Sequence, residues 1–72
     1  MHGKKPFSAE SRVSLQDAVE QVNLQYQLWQ KKNPQYIVTM ETEDVHYEHV
    51  AGRADVPHYT LIVSYSELTR IG

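Results

Sequence analysis

The residues best equipped for chemistry lie in one short stretch, Glu41, Glu43, Asp44, His46, Glu48 and His49, with His58 following beyond a turn. Imidazole and carboxylate are the ligand types of zinc and other divalent first-row metals, which makes His46, His49, His58 and Asp44 the candidate metal ligands. His46 could face His58 across a hairpin, but His46 and His49 point to opposite faces of a regular strand. No His-Glu-x-x-His helix pattern occurs. The stretch therefore reads as an acidic, solvated hairpin arm whose like charges discourage stray edge pairing, and no metal or other cofactor is expected.

Other chemistries find less support. Ser64, His58 and Asp55 supply the residue types of a hydrolytic triad, but no Gly-x-Ser-x-Gly elbow orients a nucleophile. The three glycines, Gly3, Gly52 and Gly72, are too far apart to form a phosphate loop. Carboxylate pairs such as Glu41 with Glu43 could do acid-base work, yet so small a chain has little wall with which to perturb their ionisation. The absence of cysteine removes thiol nucleophiles, thiolate zinc sites and disulfides together. The expectation is a protein that is not an enzyme.

The elements that position these residues are legible from periodicity. In His58-Tyr59-Thr60-Leu61-Ile62-Val63-Ser64-Tyr65, the odd positions Tyr59, Leu61, Val63 and Tyr65 share one face of a strand. Leu15, Ala18, Val19, Val22, Tyr26 and Trp29 recur at helical spacing, predicting a helix over 15–32 capped by Ser14. Lys31 and Lys32 suit the negative end of its dipole, Asn33 could take a left-handed cap, and Pro34 disfavours continuation. Tyr36, Val38 and Met40 then alternate as the apolar face of a strand, whereas Val45 and Tyr47 are out of phase with them. That change requires a bulge, a turn or a strand end at Thr42-Glu43-Asp44. Either one bent strand continues to about Val50 or a separate short strand forms. The Ala51–Asp55 segment is the turn, and Pro57 opens the last strand. Residues 1–13 form an N-terminal arm or edge strand, with 4–7 the stretch that could pair, and Leu68 and Ile71 could cover an open edge or reach a neighbour.

The fold class is accordingly α+β, with one amphipathic helix on a small antiparallel sheet within a single domain over 1–72, its hairpin strands at 35–50 and 57–67. Of the aromatic residues, Tyr26, Trp29, Tyr59 and Tyr65 belong to predicted core faces, leaving Tyr36 and Tyr47 freer to meet a flat ligand or a protein.

With 72 residues and no disulfides, a single core is thin, and association is the remaining route to stability. Leu24 and Leu28 interrupt the polar side of the helix; isolated surface leucines are ordinary, but this pair could form a partner-binding or self-association patch. The sheet face away from the helix carries Ile37, Thr39, Thr60, Ile62 and Ser64, too apolar to be left in water. Together with Tyr47 and His58, these define the candidate binding or interface residues. The net charge is −2 with dispersed basic residues, which argues against nucleic acid, and no long uncharged apolar run is present. A cytoplasmic homo-oligomer with no membrane association is expected.

Ser14-Leu15-Gln16-Asp17-Ala18-Val19-Glu20, then Tyr36-Ile37-Val38, then Val56-Pro57-His58-Tyr59 resemble dodecin, a small flavin-binding protein of strand-helix-strand-strand fold that builds hollow dodecamers. The resemblance implies that topology and oligomerisation. Where dodecin has a flavin-stacking tryptophan this chain has Gln35, and where dodecin has a flavin-contacting glutamine it has Thr60. Phe7-Ser8-Ala9-Glu10-Ser11, Leu15 and Val22-Asn23 are similar to a family of small sporulation-associated proteins of comparable layout and no established activity. The leading expectation is a self-associating, non-enzymatic module that binds a protein partner or small ligand at a subunit interface. The alternatives are a dodecin-like binder of a flat aromatic ligand such as flavin, and a phage-type small inhibitor of a host system.

Overall fold

A computed structural model of the chain describes residues 2–49 and 51–67. The elements are β1 (His2–Glu10), α1 (Leu15–Lys32), β2 (Tyr36–Glu48) and β3 (Val56–Glu67). The three strands form one sheet in the order β1-β3-β2, antiparallel throughout. The last strand is thus central, and its alternation shows why: Tyr59, Leu61 and Val63 are buried, while His58, Thr60, Ile62 and Ser64 are only half-buried.

The helix starts where its sequence stops competing with other structure. The Asp17 amide donates to Ser14 Oγ at 3.0 Å, satisfying one of the free first-turn donors. Asp17 carries a second load, its Oδ2 accepting from Ser11 Oγ at 2.6 Å and from Gln21 Nε2 at 2.9 Å. Ser11 is the buried polar residue of the described chain, and its oxygen also accepts from the Val13 amide, so the β1–α1 corner is tied by side chains. At the other end Asn33 does not take the left-handed cap, having φ −131°. Its side chain instead donates to the Trp29 carbonyl at 2.8 Å, which satisfies a last-turn acceptor without positive φ.

The core is Phe7, Ala18, Val22, Tyr59, Leu61 and Val63, with Leu15, Val19, Tyr26, Trp29 and Val38 packed around it. All six stripe residues of the helix therefore face the sheet. An aromatic run closes one end: Trp29 stacks on Tyr36 at 5.8 Å and meets Tyr65 edge-on at 5.2 Å, and Tyr36 touches Tyr65 at 4.6 Å. Tyr36, expected to be free for a ligand, is thus part of the packing. Ring pairs at these separations are favourable beyond their buried area, and Trp29 lies where Tyr36 would otherwise meet water.

Two readings of the strands change. β1 is longer than residues 4–7, because Phe7 and Ala9 pair with Leu61 and Tyr59 across the sheet despite Lys4, Lys5 and Pro6. The bulge in β2 lies between Val38 and Met40, three residues earlier than Thr42-Glu43-Asp44, and the strand runs on unbroken to Glu48. Thr39 is the extra residue, its Oγ1 donating to the Ser64 carbonyl at 3.2 Å. In consequence Met40 pairs with Ser64 and leaves the helix side, where Tyr36 and Val38 remain, to stand 61% exposed. Gly52, with φ 79°, supplies the left-handed residue of the β2–β3 turn. Leu68, Ile71 and Val50 lie outside the described residues.

Candidate functional site

On the sheet face away from α1, the register assembles one row across all three strands. Glu10 of β1 pairs with His58 of β3, which pairs with His46 of β2. The two imidazoles stack with centroids 4.7 Å apart and planes 8° from parallel. His58 Nε2 lies 3.1 Å from Glu48 Oε2 and 3.3 Å from Glu10 Oε2. The His58 side chain is 24% exposed, against 63% for Glu10 and 58% for Glu48. An open concavity beside it is lined by Ser8, Ala9, Glu10, His46, His58 and Thr60.

The sequence candidates divide between this row and other places. His46 and His58 do meet. His49 lies past the end of β2 and engages Asp55 at 2.8 Å, away from the row, and Asp44 approaches His46 only to 3.8 Å. Thr60 and Ile62 follow His58 along β3 on this same open face, with Ile37 at its far end, 46% exposed. Glu10 and Glu48 were missed as partners of His58. Glu48 stood within the acidic stretch, but Glu10 reaches His58 only through the β1–β3 register, which no local spacing encodes.

A second exposed region flanks the helix. Because α1 lies over β1 and β3, the helix side of β2 forms an uncovered ledge bearing Glu41, Glu43, Val45 and Tyr47, the last two 42% and 56% exposed. The ledge meets the core through two phenols. Tyr26 donates to Glu41 Oε1 at 2.8 Å, and burial followed by that carboxylate pushes its pKa up to about 12. Burial, and then Glu43 and Glu41, also raise Tyr59. Leu24 and Leu28, on the outer side of α1, are 60% and 50% exposed, and Leu28 borders a shallow groove with Lys5, Phe7, Gln25 and Trp29.

The chain matches no protein-family model, no curated protein and no solved structure. No described helix is long and apolar enough to cross a membrane.

Proposed function

We propose that the chain is a self-associating, non-enzymatic module that engages a protein partner or a small ligand at an interface between its copies. The observation that carries this reading is the state of β2. From Thr39 to Glu48 every residue of this edge strand, hydrogen-bonded to β3 alone, is exposed, Met40, Val45 and Tyr47 among them. A strand hydrogen-bonded along one edge ordinarily buries one of its faces as well.

Area supports the same reading. The accessible surface is 5513 Å², against about 4,600 Å² for a compact monomer of this mass. The radius of gyration, 15.2 Å, likewise exceeds the roughly 11 Å of a compact chain of this length. A second copy laid against β2 would cover both the ledge and an open strand edge. Sedimentation at micromolar concentration tests the proposal: a stable monomer would remove its foundation.

A dodecin-like binder of flat aromatic ligands is the second reading, favoured by the strand-helix-strand-strand order and by the exposed Tyr47 ring. Titration of flavin with the protein checks it, and unquenched flavin fluorescence would count it out.

A further inference from the structure

We infer that Glu10, Glu48 and His58 form a three-ligand site for a divalent first-row cation, zinc being the best match to the donor set. The three side chains come from three different strands, yet one ligand atom of each lies within 4.8 Å of the other two. Two edges of that triangle are 3.1 and 3.3 Å. Ligands about 2.0 Å from a tetrahedral zinc are separated by roughly 3.3 Å, so a cation can be seated with little movement of Nε2 and the two carboxylates.

Charge points the same way. The two carboxylates converge on a single imidazole nitrogen, and that nitrogen carries one proton at most, so it can donate fully to only one of them. Among the described residues no lysine or arginine pairs with either glutamate. A divalent cation would bind neutral His58 and both carboxylates at once and leave the group without net charge. His46 is not a ligand in this arrangement. Its ring is parallel to His58, so its lone pairs lie in a different plane, and it serves as a wall on one side. The concavity along Ser8 and Thr60 leaves the fourth position open to water or to an oxygen or nitrogen donor of a small ligand.

No metal was expected from sequence, and of its candidate ligands His46, His49, His58 and Asp44 only His58 belongs to this set, since His49 is engaged by Asp55 and Asp44 stands off His46. The site does not depend on self-association, because all three ligands come from one chain. The test is titration of the full chain with cobalt(II) chloride, followed by absorption, and with zinc chloride, followed by calorimetry. It uses the wild type, Glu10→Gln/Glu48→Gln, His58→Asn and His49→Asn. The glutamate side chains are exposed, so that double variant should fold, as circular dichroism would verify. The expected result is one equivalent of metal per chain, weakened by more than about tenfold in E10Q/E48Q and H58N, since even the loss of an outer-sphere partner costs ten- to a hundredfold. Affinity should be unchanged in H49N. No binding at millimolar zinc, or binding that survives E10Q/E48Q or disappears with H49N, would overturn the assignment.

Discussion

The Tyr26 hydroxyl donates to Glu41 Oε1 across 2.8 Å, the side-chain hydrogen bond that joins α1 to β2 among the described residues. It holds the acidic ledge against the one helix, and it links the acid-rich strand to the core through a phenol that resists ionisation. Burial contributes most to that resistance and Glu41 the remainder. Spectrophotometric titration should therefore show one tyrosine ionising near pH 12, and Glu41→Gln should bring it down while leaving it above 10.

The sign for stability follows from the same shift. The folded pKa of Tyr26, about 12, lies above its ordinary value of 10.0. Its contribution is fully present below pH 10 and is lost as pH rises from 10 towards 12, because the unfolded chain ionises first. Denaturant midpoints measured across that window should fall for the wild type and fall less for Glu41→Gln. A flat response would contradict the placement of this phenol.

Gly3 pairs with Tyr65, and a Cβ there would lie 2.6 Å from the ring's Cζ and Oη. The ring has little room to retreat, being held by Trp29 and Tyr36. Gly3→Ala is expected to destabilise by about 1–3 kcal/mol, the usual range for overpacking. Tryptophan fluorescence should change with it, since Trp29 would lose its edge contact. Leu61→Ala, which opens a void at a 4% exposed position, should cost about 2–5 kcal/mol.

The bulge makes an unusual deletion tolerable. With Thr39 removed, Val38 and Met40 become consecutive, and every pairing of β2 with β3 on either side is retained. The variant loses one hydrogen bond to Ser64, so its stability should fall by only about 1 kcal/mol. Deletion of Thr42 instead turns over either Glu43, Val45 and Tyr47 or, where the bulge straightens to absorb it, Met40 and Glu41 with loss of the Tyr26 hydrogen bond, and should perturb the sheet more. Equal effects from the two deletions, read by thermal melts, would contradict the register.

If β2 is the contact between copies, Tyr47→Ala and Val45→Lys should weaken self-association while sparing the single chain. Both positions are exposed in one copy, at 56% and 42%, so chain stability should change by no more than about 1 kcal/mol. An aromatic anchor at an interface is commonly worth about 2 kcal/mol or more. Concentration-dependent melts separate the two effects.

Much of this fold was legible in the sequence because its signals are local. The helical stripe from Leu15 to Trp29 and the Ser14 cap mark α1, and the alternation of Tyr59, Leu61 and Val63 marks the central strand. The change of phase in β2 was legible too, but its place was not. Met40 is apolar yet belongs to the outer face, which delayed the apparent slip past Thr39. β1 was obscured because Lys4, Lys5 and Pro6 interrupt its pattern, so only Phe7 and Ala9 report its buried side. The pairing of His46 with His58 could be anticipated from the hairpin. Glu10 could not, since its position depends on a register set by residues far along the chain.

The most direct measurement is the native mass of the purified chain at micromolar concentration. Self-association through β2 predicts an integer multiple of the 8.4 kDa chain, falling towards the single-chain mass in Tyr47→Ala. A species of 8.4 kDa alone, at all concentrations and with the fold intact, would contradict it.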